Sequence, residues 1–384
     1  NPSTTTAGDT RYGVALDSPP VGWRIVNRDA AKPIMAALLN NEAVSIRNDT
    51  LESVDKSWLA EFNFIASGST TQKVRVTYSN LQEKSNDLIL APGVLALGIG
   101  CERGVNSDDL ATFLSVIFKK YNLSKQAVAC IATIDIKEDE KAIRAVADLW
   151  KVPVRLFEAA MLEKETPRVS DPSDYVFTTV GSHSVSEASA LAAAGPDSQL
   201  VMPKQKSKGI TCAVALSPHI IDPGKVGRGC GRLAVIGIGP GSNDWRAPEA
   251  TNEISRATEV VGYKLYLDLL GPLINGKNRH DYSLGEERDR VAEALRLAAE
   301  GKEVALISSG DPGIYAMACL VFELIEHGPL GNVKPEWQRI DVHVVPGISA
   351  LQAAAAKIGA PLGHDFCTIS LSDLLTPWEV IEGR

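Results

Sequence analysis

Three glycine-bearing turns are the places in this sequence where exposed backbone could do chemistry. They are Gly237-Ile-Gly-Pro-Gly241, Ser309-Gly-Asp-Pro-Gly313 and Pro346-Gly-Ile-Ser-Ala350, each following an apolar run that reads as a buried strand. Glycine permits positive φ and close backbone approach, and a helix starting after such a turn presents free N–H groups. Open parallel sheets bind ligands at the carboxyl ends of their strands, where these turns fall. Asp311 adds a carboxylate to the second turn. It either grips a small polar cofactor together with the backbone, or closes an Asx-type turn that caps a helix over Ile314 to Leu324. Both readings stand.

The first turn approaches a dinucleotide fingerprint and misses it. Ser242 stands where glycine or alanine is needed, Pro240 removes an N–H donor, and the strand Glu259 to Gly262 has no acid at its exit to hold a ribose. A nucleotide-dependent oxidoreductase is therefore disfavoured. The 6 cysteines and 6 histidines are scattered, with no C-x-x-C and no histidine pair at helical spacing, so no protein-ligated metal is expected. Spacing identifies no Ser/His/Asp arrangement.

The elements that must position these turns alternate strand and helix. Expected strands are 44–47, 62–66, 74–77, 94–100, 128–134, 152–157 and 200–203, then 233–239, 260–262, 304–308 and 342–345. Expected helices are 30–39, 110–121, 138–149 and 185–194, then 248–257, 286–300 and 314–324. The fold class is α/β with mainly parallel, buried sheets. At 384 residues the chain is long enough for two or three domains. Residues 1–10 are a polar remnant, 11–90 a small α/β module, and 91–217 an α/β domain. A Pro/Gly-rich linker follows at 218–230, then an α/β domain at 231–366 and the start of another at 367–384. Thr376-Pro377-Trp378-Glu379 reads as a helix start with few residues after it, which suggests truncation at this end and at the other.

A net charge of −8, from 39 basic and 47 acidic residues, argues against a general nucleic-acid or anionic-membrane surface. No apolar run is long enough for a transmembrane helix, and no signal peptide opens the sequence, so a cytoplasmic protein with reduced thiols is expected.

Five segments in order, Val235-Ile-Gly-Ile-Gly-Pro-Gly241, Val261-Gly-Tyr-Lys264, Ser308-Ser-Gly-Asp-Pro-Gly-Ile-Tyr315, Val345-Pro-Gly-Ile-Ser-Ala-Leu351 and Ile369-Ser-Leu-Ser-Asp-Leu-Leu-Thr-Pro-Trp378, resemble the tetrapyrrole (class III) S-adenosylmethionine methyltransferases. Within that family the region from Gly231 is similar to the first half of the ring-contracting precorrin-3B C(17)-methyltransferases of cobalamin biosynthesis. Upstream, Gly98-Ile-Gly-Cys-Glu-Arg-Gly104, Ile134-Asp-Ile-Lys137, Val180-Gly-Ser-His-Ser-Val-Ser-Glu-Ala188 and Val201-Met-Pro-Lys-Gln-Lys206 resemble the C-terminal, CobE-like domain of the CbiG-type cobalt-precorrin-5A hydrolases. Trp23-Arg-Ile-Val-Asn-Arg28 and Lys32-Pro33 resemble the middle domain of those hydrolases.

The resemblance implies a fused cobalamin-biosynthetic enzyme using S-adenosylmethionine on a precorrin or cobalt-precorrin. No nucleic acid, membrane or metal is implied, and a homodimer is left open. The methyl donor would contact Gly310, Asp311, Gly313, Ile314 and Tyr315, with Ile348, Ser349 and Ala350. Gly239, Pro240 and Gly241 would face the tetrapyrrole. Arg246 and Lys264 would meet its carboxylates, or be solvated. Ring contraction needs a base, for which Asp244 is the candidate and His280 a further one. In the hydrolase-like part, opening a lactone needs a base and oxyanion stabilisation. Glu102 would be the base, and Arg103, Lys204 and Lys206 the carboxylate or oxyanion partners. Lys204 to Lys208 is equally read as a solvated turn, Cys101 as a small buried apolar residue, and His183 as satisfying a loop. A non-catalytic tetrapyrrole-binding or channelling fragment is the alternative reading.

Overall fold

A computed structural model describes residues 15–66, 70, 72–81, 87–360, 362–369 and 377–383. The expected polar remnant at 1–10 and the expected N-cap Thr376 lie outside these residues. The chain divides between Gly229 and Cys230 into two compact units.

The first unit holds two sheets. Strands β1 (Trp23–Ile25), β2 (Val44–Asn48), β3 (Gln72–Val76) and β4 (Leu88–Pro92), with helix α1 (Ala31–Leu39), form a four-stranded sheet in the order β1-β4-β3-β2. The stretch 62–66, expected as a strand, contributes only a bridge between Ser45 and Ile65. The second sheet takes β5 (Leu95–Cys101), β6 (Val128–Ile134), β7 (Val154–Phe157), β8 (Gln199–Ser207), β9 (Ile210–Leu216) and β10 (Arg228–Gly229), ordered β10-β7-β6-β5-β9-β8. Its centre is parallel across β5, β6 and β7, and antiparallel pairing brings β9, β8 and β10 to the flanks.

Helices α2 (Ser107–Lys120) and α3 (Lys141–Trp150) cover one face; α4 (Ala159–Glu163), α5 (Asp174–Val180) and α6 (Ser186–Ala194) complete the unit. Residues on β5 alternate in the way a doubly covered strand demands. Leu95, Leu97 and Ile99 pack with Leu110, Leu114 and Val146, whereas Ala96 packs with Ala188 and Leu191 of α6. A Cβ on Gly98 would stand 1.8 Å from the Ser186 carbonyl oxygen. That glycine serves helix–strand approach. The N-cap of α2 is Asn106, whose side chain accepts from the Asp108 and Asp109 N–H groups.

Both sheets of this unit share one core, running from Leu16 through Trp23, Leu88 and Leu97 to Leu216. Residues 90 and 91, where a boundary is expected, both lie in the buried strand β4, two residues before the Gly93-Val94 step that leads into β5. Residues 218–230, expected as a linker, carry β10 at the sheet edge. Arg155 secures it, donating to the Val226 carbonyl at 2.6 Å and the Gly227 carbonyl at 2.9 Å. Pro/Gly-rich composition concealed a strand too short to show a period.

The second unit is one parallel sheet ordered β13-β12-β14-β11-β15, from β11 (Arg232–Gly237), β12 (Glu259–Tyr263), β13 (Asn278–Tyr282), β14 (Glu303–Ser308) and β15 (Asp341–Val345). Its helices are α7 (Pro248–Arg256), α8 (Lys264–Leu270), α9 (Glu287–Ala299), α10 (Met317–His327), α11 (Ala350–Ile358) and α12 (Trp378–Glu382). One face packs Leu233, Val235 and Leu306 against Val291, Leu295 and Ala298 of α9, the stripe that 3.6-residue periodicity predicts. The other packs Ala234, Ile236 and Ile307 against Ile254 and Leu267. Helices on both faces leave the carboxyl ends of the strands to the three glycine turns.

Candidate functional site

Those turns meet at the ends of the adjacent strands β11, β14 and β15. Gly239 and Gly310 exchange backbone hydrogen bonds, Gly310 N–H to Gly239 O at 2.8 Å and Gly239 N–H to Gly310 O at 3.2 Å. Both have positive φ, +78° and +63°. A Cβ at Gly237 would stand 2.4 Å from the Gly310 oxygen, and one at Gly347 would stand 2.1 Å from the same atom. Side chains at these positions would force the loops apart, so glycine is required by contact between loops.

Asp311 closes the junction. Its Oδ1 accepts from Gly313 N–H at 2.8 Å, the Asx turn, and its Oδ2 accepts from Gly347 N–H at 3.1 Å in the neighbouring loop. Each carboxylate oxygen thus holds one loop, and Asp311 acts through position. Helix α10 begins at Met317, three residues later than Ile314, because Tyr315 adopts φ +50°. A left-handed conformation in a bulky residue costs about 1–2 kcal/mol and marks a constrained segment. Tyr315 is held there by its hydroxyl, which donates to the Thr368 carbonyl at 3.0 Å. In the third loop Ser349 and Gln352 form a reciprocal capping box at the start of α11. That box satisfies the Ser349 and Gln352 N–H groups and leaves those of Ala350 and Leu351 without intrahelical partners.

The first turn does not open a helix. After Gly241, at φ +130°, the chain makes a 3₁₀ turn over Asn243–Trp245 and α7 begins only at Pro248. Pro240 is exposed on this turn, and Asp244 is exposed with its carboxylate 3.5 Å from the Ser242 hydroxyl. Arg246 donates to Asn243 Oδ1 at 2.9 Å and Thr251 Oγ1 at 3.1 Å, and Lys264 pairs with Asp268 at 2.8 Å. His280 lies on the edge strand β13, bonded to the buried Glu259 at 2.8 Å and near Glu293 of α9 at 3.9 Å. Those partners hold it on the sheet face under α9, apart from the glycine loops.

In the first unit the candidates fall into separate contacts. Glu102 is exposed where β5 ends, beside Gly209 of the β8–β9 turn; a Cβ there would stand 2.9 Å from its carboxyl carbon. Arg103 pairs with Asp139 and donates to the Ile136 carbonyl at 2.7 Å. Lys204 and Lys206 converge on one oxygen of Asp171, at 2.8 and 2.9 Å. Hydrogen bonds from Lys204 and then Lys206 hold the Asp171 carboxyl down to about 2. Burial pushes the Cys101 thiol up to about 11, so Cys101 is a protonated thiol at neutral pH. His183 Nδ1 donates to the Glu163 carboxylate at 2.9 Å, and the ring stacks on Phe177 with centroids 4.5 Å apart.

Residues 95–215 match the family model for the cobalamin synthesis G C-terminus, and residues 232–384 match that for tetrapyrrole (corrin/porphyrin) methylases. The chain is thus similar to the cobalamin synthesis G C-terminus over the first stretch and to the tetrapyrrole methylases over the second. A precorrin-3B C(17)-methyltransferase from Sinorhizobium sp is 47% identical over 154 residues, covering 40% of this chain and 58% of that protein. The cobalamin biosynthesis protein CobIJ of Mycobacterium bovis is 44% identical over 154 residues, covering 40% of this chain and 28% of that protein. A solved structure of CobE, a protein from the cobalamin (vitamin B12) biosynthetic pathway, is 32% identical, covering 33% of this chain and 91% of that one with a TM-score of 0.31. The chain spans well under two thirds of the length of the curated relatives it matches.

The loops of the second unit bring polar backbone and apolar side chains to one rim. Gly310 lies buried in the gap between the second and third loops, where a Cβ would make ordinary contact with Ser349 Cα at 3.5 Å. Around that gap lie the unpaired N–H groups of α11 and the exposed apolar side chains of Ile314, Tyr315 and Ile348. Polar backbone beside exposed apolar surface suits a ligand of mixed polarity. Gly313 and Ala350 are exposed at the same rim.

In the first unit, sequence reasoning missed Asp171 and Glu187. Glu187 is fully buried and accepts from Ser170 N–H at 2.7 Å, Ser170 Oγ at 2.5 Å, Lys204 N–H at 2.8 Å and Asp171 N–H at 3.3 Å. Burial raises its pKa, but these hydrogen bonds outweigh burial and the net direction is down. It thereby fixes the loop that carries Asp171 against the strand that carries Lys204. A lone acid in an otherwise small and apolar helix is the signal that would have found it. Among the described residues no group of three His, Cys, Asp or Glu side chains is placed to hold a metal, and no helix is long and apolar enough to cross a membrane.

Proposed function

We propose that the second unit binds S-adenosylmethionine at the junction of its three loops, and that the chain serves C(17) methylation and ring contraction of a precorrin-3B-type tetrapyrrole. The observation carrying this is the locking of the loops, by the Gly239–Gly310 pair and the Asp311–Gly347 bond, at the carboxyl end of an all-parallel sheet. The cofactor supplies an electrophilic methyl group on a sulfonium sulfur. Transfer to carbon is an in-line displacement, so the protein's work is to hold donor and acceptor in a near-attack arrangement. Gly310, Asp311 and Gly313 shape the donor side, with Asp311 fixing the loops. Ile314, Tyr315 and Ile348 offer apolar surface, and Ser349 and Ala350 present the start of α11. Gly239, Pro240 and Gly241 face the macrocycle. Arg246 and Lys264 contribute positive charge at the rim, and Asp244 is the exposed acid nearest that turn.

For the first unit the proposed reaction is hydrolytic opening of a lactone on a cobalt-precorrin-5A-type ring. Glu102 is the proposed base. Lys204 and Lys206, paired by Asp171, would exchange that partner for a substrate carboxylate, and Arg103 would hold the loop after β5 in register through Asp139. A second reading, binding of tetrapyrrole and cofactor without turnover, is favoured by the exposure of Ile314, Tyr315 and Ile348.

Equilibrium dialysis with labelled S-adenosylmethionine and, separately, NAD tests the assignment. Preference for S-adenosylmethionine is expected, and preference for NAD removes it. Cofactor binding without methyl appearing on the tetrapyrrole selects the second reading.

A further inference from the structure

Beside the first turn a cavity of about 290 Å³ is lined by Pro240, Ser242 and Trp245 on one side and by Ala353, Ala354 and Lys357 of α11 on the other. Ala353 and Lys357 are one helical turn apart, so the alanines keep the floor low and the lysine stands at one end. The other cations of this region are committed: Arg246 to Asn243 and Thr251, Lys264 to Asp268. Among the described residues Lys357 has no carboxylate partner and is exposed. Asp244, the acid on the facing turn, leans on the Ser242 hydroxyl. An indole, a proline ring and a free ammonium thus surround a space the size of one substituted pyrrole.

We propose that this pocket takes one pyrrole edge of a polycarboxylated tetrapyrrole, with the ring against Trp245 and Pro240 and a side-chain carboxylate on Lys357 Nζ. Lys357 is a specificity-determining residue: it selects rings whose peripheral substituents end in carboxylate. The inference rests on the proposed function of the second unit. A charge-assisted bond to a carboxylate held in place by the seated ring is stronger than a neutral contact at the same point.

The test uses the full chain and uroporphyrin III, a polycarboxylate ring, with mesoporphyrin IX as a similar ring carrying fewer carboxylates. Binding is followed by porphyrin absorbance and by quenching of indole fluorescence. Lys357→Gln is expected to weaken uroporphyrin binding about threefold to fivefold, the scale of one exposed ionic contact, and to reduce its salt dependence. Lys357→Arg should restore most of it, and mesoporphyrin binding should change much less. Trp245→Leu should weaken both porphyrins. S-adenosylmethionine binding should stay at the parent value in the lysine variants. If Lys357→Gln binds uroporphyrin like the parent, or weakens both porphyrins and cofactor alike, the pocket assignment is overturned. A parent chain that binds uroporphyrin but not S-adenosylmethionine overturns the methylase reading and leaves the pocket standing. A chain that binds cofactor but no porphyrin does the reverse.

Discussion

Asp311 is where a cofactor ligand and a structural clasp make different predictions. In the structure its two carboxylate oxygens are spent on Gly313 N–H at 2.8 Å and Gly347 N–H at 3.1 Å. Hydrogen bonds to a charged group contribute about 1.5–3 kcal/mol each, and solvent at this half-buried site reduces that. Asp311→Ala loses both bonds, and about 2 kcal/mol is a fair total. Asp311→Asn keeps one acceptor but turns an NH₂ toward the other N–H, so about half of that is expected. A clasp strengthens the apo protein. Unfolding of the second unit, followed by differential scanning calorimetry without cofactor, should shift down by about 4–8 °C for alanine and less for asparagine. Cofactor affinity should fall in the same order, by about thirtyfold and about fivefold, as the loops lose their fixed spacing. A direct ligand behaves otherwise: the apo midpoint holds while affinity collapses for both variants. An unchanged apo midpoint in Asp311→Ala would falsify the clasp.

Gly347→Ala places a Cβ 2.1 Å from the Gly310 oxygen and 2.8 Å from that of Gly237, so it should cost about 3 kcal/mol and abolish cofactor binding; a variant with parent stability by urea titration contradicts the geometry. Glu187→Gln should destabilise the first unit by about 2–4 kcal/mol, since a buried acceptor set is replaced by a mixed donor and acceptor. Because the Glu187 pKa is depressed on folding, its contribution is present above the unfolded carboxylate range and lost as pH falls through the folded value; urea midpoints flat across the acid limb would argue against this. The Asp171 carboxyl should titrate near pH 2 by NMR, with Lys204→Ala moving it up more than Lys206→Ala does. Cys101, pushed up to about 11, should resist alkylation at pH 8 in the native chain, whereas the exposed Cys319 and Cys367 react; rapid labelling of Cys101 would show its shielding to be wrong.

The centre of the second unit's sheet was legible because β11, β12 and β14 are largely apolar and α9 carries a clean stripe at Val291, Leu295 and Ala298, whereas the edge strand β13, Asn278–Tyr282, is polar and half-exposed and carries no such signal. The cap of α2 is local, since Asn106 accepts from N–H groups only two and three residues on. What escaped is non-local. Asp171 meets Lys204 across 33 positions, and nothing near either residue announces the other. The helix Asp174–Val180 escaped for a different reason: it buries no residue, so no apolar stripe marks it. A shared core across the expected 90/91 division is also non-local: two apolar strands separated by one glycine-valine step read the same whether they belong to one core or two.

The two glycine-bearing strand ends, at Gly98-Ile-Gly100 and Gly237-Ile-Gly239, look alike as letters and differ as physics. In the first unit the missing Cβ atoms admit a helix: Gly98 faces the Ser186 carbonyl, and Gly100 faces Thr211 and Val185. In the second they admit another loop: Gly237 faces Gly310 O and Pro312, and Gly239 pairs with Gly310 in the left-handed region. A glycine that makes room for a helix adds to the core and leaves no opening. A glycine that makes room for a second loop brings two sets of backbone groups together at a surface, where their remaining valences face solvent or a ligand. Alanine substitution separates the two cases. Gly98→Ala should lower the stability of the first unit, since its Cβ meets helix backbone at 1.8 Å. Gly310→Ala meets nothing closer than 3.5 Å and should cost only the strain of its φ of +63°, about 1–2 kcal/mol, while filling the gap proposed for the methyl donor. A folded Gly310→Ala chain that binds S-adenosylmethionine at the parent affinity would put the donor elsewhere.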